Sequence, residues 1–202
     1  MQIKTYALGE LQTNCYLVFD EKTKEGIIID PADDANFISE QILQLGIKPL
    51  YLVATHGHFD HLLAAYELQL AFNIPLLLHQ KDLFLVSRMQ STAEHWLKRK
   101  IIEKPPTNIQ FLTDKDHPCR LQVIETPGHT PGSICLYSKE NNLLLTGDTL
   151  FADGVGDTNH SYSSPNALRS SLAKLSRLPP QTTIYPGHSE SSILEETQKG
   201  SY

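Results

Sequence analysis

The sequence predicts a single α/β domain in which two β-rich halves are flanked by helices. Short apolar runs of strand length alternate with longer segments whose apolar residues recur every three or four positions, the spacing of one buried helix face. Hydrophobic residues make up 40% of the 202 residues and charged residues 20%, which favours a packed core. No linker or low-complexity segment divides the chain, so one domain is expected over residues 1–202.

The predicted strands are short apolar runs bounded by proline, glycine or charged turns. They cover residues 2–8, 13–20, 26–29, 50–54, 75–78, 121–124, 134–137, 142–145 and 182–185. The first three follow one another closely and predict an antiparallel meander. The fourth and fifth are separated by a segment of helical pattern, which indicates a strand–helix–strand unit.

Four helical segments are predicted between the strands. They cover about residues 34–45, 60–71, 80–104 and 165–177. Asp33 or Asp34 can cap the first helix and Gly46 can end it, whereas Ser163 or Ser164 can cap the last. The third segment is amphipathic but untidy, and we favour its packing on the sheet over a role as a flap above a site.

The most informative stretch is His56-x-His58-x-Asp60-His61, which follows the strand at 50–54. It carries three of the chain's 9 histidines within six positions, which argues against a chance cluster. Imidazole nitrogen and carboxylate oxygen are both common zinc ligands. His56 and His58 point the same way in an extended loop, whereas the side chains of Asp60 and His61 diverge because these residues are adjacent. The spacing therefore predicts two neighbouring metal positions.

Three later loops carry the same residue types. His129, Asp148 and His188 each come shortly after the end of a predicted apolar strand. Core packing does not explain this repeated placement, because all three residues are polar and follow the strands rather than lie within them. It is expected if the loops converge at one edge of the sheets, where a rigid framework presents functional groups.

Together these motifs resemble the signature of the metallo-β-lactamase superfamily, and they are most similar to its glyoxalase II (hydroxyacylglutathione hydrolase) branch. The resemblance runs from about Asn14 to His188. It implies a four-layer αββα sandwich, which agrees with two β-rich halves flanked by helices. It also implies a dinuclear site, with the first ion held by His56, His58 and His129, the second by Asp60, His61 and His188, and both bridged by Asp148.

The chemistry that the resemblance implies needs two divalent metal ions per chain, with zinc as the default and iron or manganese accepting the same donors. Paired ions lower the pKa of a shared water and supply hydroxide for attack on an activated carbonyl. Asp60 is expected to be catalytic as well as a ligand, because it can orient that hydroxide. Asp30 is expected to accept hydrogen bonds that fix the His56 loop or a ligand ring, with a simple turn before Pro31 as the alternative.

The expected substrate is a small-molecule thioester or a related acyl compound. Asp157 stands where the glyoxalase II branch normally has a basic residue that helps to bind substrate, which weakens the case for a glutathione thioester. Only 14 residues follow His188, so the helical C-terminal domain of that branch is expected to be absent. His160 and Tyr162 are candidates for lining the substrate pocket, with an ordinary loop role as the alternative.

Other functions remain open at the level of the sequence. The same branch resembles a mononuclear-iron persulfide dioxygenase, and lactone or β-lactam hydrolysis is a variant of the leading hypothesis. A non-catalytic metal-stabilised domain is disfavoured, because a degenerate relative would be free to lose some of the seven ligands. His58 stands where flavodiiron oxygen reductases normally carry glutamate, which disfavours that redox function.

Composition excludes several classes of partner. The net charge is −6 and no basic tract is present, so nucleic acid is not an expected partner. The longest apolar runs are far shorter than the roughly 20 residues that a membrane helix needs. No secretory signal pattern is visible, so we expect a cytoplasmic protein. The sequence does not indicate the oligomeric state.

Several histidines and cysteines outside these motifs are expected to be structural. Cys15 and Cys135 lie inside predicted strands and are interpreted as small buried hydrophobic residues. His79 ends a predicted strand, where a structural hydrogen bond is the usual role. His95 and Trp96 belong to the amphipathic segment, and packing is favoured for both over contact with a substrate.

Overall fold

Two β-sheets form the framework of the computed structural model, which describes residues 1–197. The first sheet contains β1 (Gln2–Leu8), β2 (Thr13–Phe19), β3 (Glu25–Ile29), β4 (Lys48–Val53), β5 (Leu76–Leu78) and β6 (Ile109–Phe111). The second contains β7 (Gln122–Glu125), β8 (Ile134–Ser138), β9 (Leu143–Gly147), β10 (Thr183–Pro186) and β11 (Ser192–Ile193). All nine predicted strands are confirmed, with small differences at their ends. The end of the predicted domain, residues 198–202, lies outside the described residues.

Each sheet combines antiparallel and parallel pairs. In the first sheet the spatial order is β1-β2-β3-β4-β5-β6, the first three strands form the predicted antiparallel meander, and β3 to β6 run parallel. In the second sheet the order is β11-β10-β9-β8-β7, and only β9 and β10 run parallel. The parallel strands β3, β4 and β5 need helical crossovers, because a tight turn reverses the chain direction and would make the next strand antiparallel.

The helices begin and end at residues of suitable chemistry. They are α1 (Ala35–Leu45), α2 (Ala65–Phe72), α3 (Leu83–Val86), α4 (Met89–Leu97), α5 (Pro165–Leu175) and α6 (Leu194–Thr197). The Asp34 side chain accepts a hydrogen bond from the Phe37 backbone N–H at 3.0 Å, and Gly46 ends α1 in the left-handed conformation. Ser164 caps α5 in the same way as Asp34 caps α1. Within residues 1–197, no helix has the length and apolarity that crossing a bilayer requires.

Three apolar clusters separate four layers. Leu17 of β2 packs in a cluster with residues of α1, α2 and α4, whereas Val18, on the opposite face of the same strand, packs with Leu136 of the second sheet. Leu144 of β9 faces away from the first sheet and packs with Leu175 of α5. The order of layers is therefore helices, sheet, sheet and helices, which confirms the expected αββα sandwich.

Two predicted helices differ from the structure. The segment 60–71 begins with a 3₁₀ turn at Phe59–His61, and α2 starts only at Ala65. The tighter turn allows Asp60 and His61 to face the site while the next residues are buried. The segment 80–104 forms α3 and α4 rather than one long element, and Lys98, directly after α4, has the left-handed conformation. The two short strands β6 and β11 were not predicted, because they lack an apolar run.

Candidate metal centre

The four ligand-bearing loops meet at one edge of the two sheets. The backbone N–H of Ile134 in β8 donates to Thr55 O at 2.8 Å, which joins the His56 loop to the second sheet. The Gly187 N–H donates to Gly147 O at 2.9 Å, which joins the loops that carry Asp148 and His188. The structure therefore brings together all seven predicted ligands, although they are spread over more than a hundred positions of the chain.

The first ligand group consists of His56, His58 and His129. Their ring centroids lie 4.6 to 4.9 Å apart, and His129 Nε2 is 3.0 Å from His58 Nδ1. One ring nitrogen of each histidine belongs to a set in which all atoms are within 4.8 Å of one another. Three converging imidazole nitrogens are a common ligand set for zinc and similar ions.

The second ligand group consists of Asp60, His61 and His188. Asp60 Oδ2 lies 3.5 Å from His61 Nε2 and 3.3 Å from His188 Nε2. His61 is completely buried, whereas His188 is partly exposed. A carboxylate oxygen and two imidazole nitrogens thus converge in a second set of potential ligands.

Asp148 lies between the two groups. Its Oδ1 atom is 3.5 Å from His61 Nε2 in the second group. Its Oδ2 atom is 3.7 Å from His129 Nε2 in the first group and 3.6 Å from His188 Nε2 in the second. One carboxylate therefore faces both sets of nitrogen atoms, which is the geometry expected of a bridging ligand.

Several buried atoms of these side chains have no hydrogen-bond partner among the described residues. They are His56 Nε2, His61 Nε2 and Asp148 Oδ1, together with His61 Nδ1, which faces Asp30 as an ion pair rather than in hydrogen-bond geometry. Leaving a buried polar atom unpaired costs about 1–3 kcal/mol, so such atoms are rare without a specific reason. Nitrogen and carboxylate oxygen atoms are the ligands of divalent cations such as zinc. Because these atoms converge without partners in the protein, the residues present fit a bound divalent cation.

Two rings of the first group, those of His56 and His58, are held in their neutral form. Burial, followed by the neighbouring imidazoles, lowers the pKa of His56 well below its ordinary value. Burial also lowers the pKa of His58 to about 3, with His129 as the next contribution. At neutral pH both rings therefore have the neutral form that binds a metal ion.

The second group has the opposite electrostatic character. Burial opposes a charge on His61, but the neighbouring carboxylates, with Asp60 first, outweigh it and raise the pKa of His61 to about 10. Burial raises the pKa of Asp60, yet His61, His188 and Thr13 bring it well below the ordinary value. These acidic groups favour a positive charge among them, and a divalent cation would supply that charge in place of the His61 proton.

Asp30 makes both kinds of contact that the sequence suggested for it. It is fully buried, and its two oxygens accept hydrogen bonds from the Thr55 N–H at 2.7 Å and from Thr55 Oγ1 at 2.8 Å. Its Oδ2 atom also lies 3.0 Å from His61 Nδ1. A proton on Nδ1, facing this carboxylate, would leave His61 Nε2 free to bind an ion, so Asp30 is placed to hold the ring in the ligand orientation.

Two residues at the start of β2 support the second group, and the sequence analysis did not identify them. Thr13 Oγ1 donates to Asp60 Oδ2 at 2.8 Å. The Asn14 side chain donates to Pro186 O at 3.0 Å and to Ser189 O at 2.8 Å, on either side of His188. Their partners are 47 to 175 positions away, so no local pattern could have identified them.

His160 and Tyr162 lie beside the first ligand group. The Tyr162 hydroxyl is 2.8 Å from His58 Nε2, and its ring stacks on His160 with centroids 5.1 Å apart. The His160 ring also lies 5.3 Å from the His58 ring. Asp157 contributes its backbone oxygen, which lies 2.7 Å from His129 Nδ1, whereas its side chain accepts from the Asn159 N–H.

Other singled-out residues lie away from the ligand groups. Cys15 and Cys135 are completely buried, as expected. His79 Nδ1 accepts a hydrogen bond from the Lys81 N–H at 3.3 Å, which is a structural role. Trp96 on α4 is 60% exposed, so the prediction that it packs on the sheet is wrong, and its neighbour His95 contacts it edge to face.

Comparison with known proteins decides the family. The family model described as Metallo-beta-lactamase superfamily matches residues 8–188. The chain belongs to the metallo-β-lactamase superfamily. One curated relative of this chain is hydroxyacylglutathione hydrolase GloC of Haemophilus influenzae. The two are 29% identical over 204 residues, which cover 98% of this chain and 96% of GloC.

Two solved structures resemble this chain over nearly its whole length. The crystal structure of TTHA1623 in a di-iron-bound form has a TM-score of 0.89 and 34% identity, and the match covers 96% of each chain. The crystal structure of the BLEG-1 B3 metallo-β-lactamase has a TM-score of 0.89 and 27% identity, and the match covers 100% of each chain. This chain is therefore a metallo-hydrolase superfamily member with a cluster of potential metal ligands, and its relatives differ in the substrate that their names specify.

Proposed function

We propose that this chain is a metal-dependent hydrolase that cleaves a thioester or a related acyl compound at a dinuclear centre. The position of Asp148 carries the proposal, because its two carboxylate oxygens face nitrogen atoms of both ligand groups. Three histidines would hold the first ion, and Asp60, His61 and His188 would hold the second. The di-iron form of TTHA1623 supports a centre for two ions.

The identity of the ions follows from the donor chemistry only in part. Imidazole and carboxylate ligands without thiolate are accepted by zinc, iron and manganese alike. Zinc is our default, because histidine and aspartate are its ordinary partners in hydrolytic sites. When bound, the ion pair would lower the pKa of a shared water and polarise the acyl carbonyl.

Asp60 would orient the attacking water. Its carboxylate has a pKa well below the ordinary value, so it remains an acceptor at neutral pH. The hydrogen bond from Thr13 Oγ1 fixes Oδ2, which prevents the carboxylate from turning away from the site. An ionised oxygen fixed in this way can accept a hydrogen bond from the nucleophile and hold its lone pair toward the substrate.

Tyr162 and His160 would form one wall of the substrate pocket. If His58 binds an ion through Nδ1, the atom that faces His129, then its ring proton is on Nε2 and is donated to the Tyr162 oxygen. Burial raises the pKa of Tyr162, so the phenol keeps its proton at neutral pH. That O–H group would then be free to donate a hydrogen bond to the acyl substrate, and the His160 ring would cover the same wall.

The substrate class rests on the curated relative GloC, which is named for hydrolysis of a hydroxyacylglutathione. Asp157 has no positive charge to offer an anionic glutathione group. We therefore favour a smaller or less acidic thioester over a glutathione thioester as the substrate. The BLEG-1 structure favours one second candidate, β-lactam hydrolysis, because it matches the whole chain with the same TM-score as TTHA1623.

A substrate panel on purified protein reconstituted with zinc tests the reaction. Lactoyl-glutathione, a short acyl thioester without glutathione, a lactone and a chromogenic β-lactam would be compared, with thiol release as the thioester assay. We expect thioester cleavage that is lost with a strong chelator and restored by zinc. β-Lactam turnover without thioester turnover would replace thioesters as the substrate class. Protein that binds one iron per chain and consumes oxygen with a persulfide would contradict hydrolysis.

A further inference from the structure

Asp82 is a completely buried carboxylate behind the first ligand group, between β5 and α3. Its Oδ2 atom accepts hydrogen bonds from the Gly57 N–H at 2.9 Å and from Thr130 Oγ1 at 2.6 Å. Its Oδ1 atom accepts one from the Gly132 N–H at 2.6 Å. These three hydrogen bonds satisfy both oxygens of a carboxyl group that would otherwise be very costly to bury.

The donors come from two loops that belong to different sheets. Gly57 lies between His56 and His58, on the loop after β4 of the first sheet. Thr130 follows His129 directly, on the loop between β7 and β8 of the second sheet. One side chain therefore connects the two loops whose histidines make up the first ligand group.

Gly57 and Gly132 leave the space that this connection needs. A Cβ atom added to Gly57 would lie 2.9 Å from the Asp82 backbone oxygen and 3.0 Å from its Cβ. A Cβ atom added to Gly132 would lie 2.7 Å from Asp82 Cγ. A side chain at either position would therefore clash with Asp82, so glycine at both positions lets the carboxylate reach the two backbone N–H groups.

The second ligand group has separate supports. His61 is held by Asp30, Asp60 is held by Thr13, and the His188 loop is held by Asn14. Within residues 1–197, the side-chain hydrogen bonds of Asp82 all go to the two loops of the first group. Gly57 shares its loop with Asp60 and His61, but Thr13 and Asp30 contact those two residues separately, so a change at Asp82 should act on the first group and leave the second in place.

We propose that Asp82 is a positioning residue that sets the spacing of His56, His58 and His129, and thereby the affinity of the first metal position alone. This inference rests on the proposed dinuclear centre. Neither the family comparison nor the sequence motifs assign a role to this aspartate. Partners that orient metal ligands change metal affinity by about 10- to 100-fold when they are replaced, which sets the size of the expected effect.

The test compares zinc binding by the wild-type protein and by Asp82→Asn, titrated against a chromophoric chelator. Asparagine keeps the shape but turns an N–H₂ group toward a backbone donor, so at least one of the three hydrogen bonds is lost. We expect one of the two ions to dissociate about 10- to 100-fold more readily and the other to be unchanged. In saturating zinc, kcat should recover and the thermal midpoint should lie near that of the wild type.

Gln69→Leu provides a control, because Gln69 is also buried and its side chain hydrogen-bonds to the backbone of Thr107 and Asn108, away from the site. It should lower the thermal midpoint without changing either zinc affinity. If Asp82→Asn does not fold, Thr130→Val serves as the test variant, because it removes only the hydroxyl group that donates to Asp82. It should weaken binding of the same ion by a smaller factor.

Four outcomes would overturn the inference. Equal weakening of both ions in Asp82→Asn, or no change in either while the thermal midpoint falls, would reduce Asp82 to a general structural role. For the Thr130→Val variant, an unchanged affinity at both positions has the same meaning. A wild-type protein that binds no zinc would instead contradict the proposed function, and this inference with it.

Discussion

The first ligand group contains three imidazoles and no carboxylate, whereas Asp60 places a negative charge within the second. In the first, burial keeps His58 neutral and lowers its pKa to about 3. In the second, neighbouring carboxylates overcome burial and raise the pKa of His61 to about 10. Two adjacent sets of ligands thus have opposite electrostatic character.

The difference indicates that the two positions would hold an ion by different means. Neutral rings attract a cation weakly at a distance, so affinity at the first position depends on accurate spacing, which Asp82 supports. The second position has a surplus of negative charge, which attracts a cation directly. Asp30 and Thr13 there mainly orient the side chains of His61 and Asp60. Asp148 belongs to both and couples them.

The largest effect is expected for Asp148→Ala, because it removes the ligand common to both groups. Replacing a residue that only orients a metal ligand lowers metal affinity or activity by about 10- to 100-fold. Loss of the bridging carboxylate itself should therefore reduce turnover by more than about 100-fold and lower the metal content. Metal analysis and thioester hydrolysis check both. His95→Ala serves as the control, since His95 lies on α4 and should leave the metal content intact. An Asp148→Ala variant that kept its full metal content and full rate would contradict the role of Asp148 as the ligand common to both groups.

Gly187→Ala should perturb the bridge and the second group more than the first. A Cβ atom at this position would lie 2.1 Å from Asp148 Oδ1 and 2.8 Å from His61 Cε1. We expect zinc affinity at the second position to fall by about 10- to 100-fold, measured by chelator competition. Gly154→Ala is the control, because no atom lies within 4 Å of its added Cβ. Equal loss at both positions would show that the groups are not separable.

Tyr162→Phe should have a smaller effect, confined to the first group. It removes the hydroxyl that contacts His58 Nε2 at 2.8 Å and retains the stacked ring. We expect kcat/KM to fall about 10-fold, the lower end of the range for a partner of a metal ligand, with an unchanged fold by circular dichroism. Tyr66→Phe on α2 is the matched control. Unaltered kinetics in the Tyr162 variant would exclude it from both ligand orientation and substrate contact.

The pH dependence of stability in chelator-treated protein should show both groups at once. The folded-state pKa of His58 lies below its unfolded value, so its contribution is present above about pH 6.5 and is lost as the pH falls toward 3. The folded-state pKa of His61 lies above its unfolded value, so its contribution is present below about pH 6.5 and is lost as the pH rises through 10. Denaturant melts should give a maximum near neutrality, and a monotonic profile would contradict this assignment.

Local chemistry made most of the fold predictable. Apolar runs located nine strands, and cap residues such as Asp34 and Ser164 located the starts of two helices. The segment after the His56 motif was predicted as helix from its composition alone. There the demand that Asp60 and His61 face the site overrides helical propensity and produces a 3₁₀ turn first.

The ligands were predictable for a different reason from their supports. A histidine or aspartate just beyond an apolar strand stands out in a sequence, as His129 and Asp148 do. Asp82 resembles any acidic residue at the start of an amphipathic segment, and its partners Gly57 and Gly132 lie 25 and 50 positions away. Long-range hydrogen bonds depend on how the two sheets pack, which a local pattern does not encode.

The number of metal ions per chain tests the central claim most directly. Purified wild-type protein, reconstituted with zinc and freed of excess ion, would be measured by elemental analysis against protein concentration. Two ligand groups bridged by Asp148 predict about two ions per chain. A protein that hydrolyses its substrate at full rate with no bound ion, or after a strong chelator has removed every ion, would contradict the account.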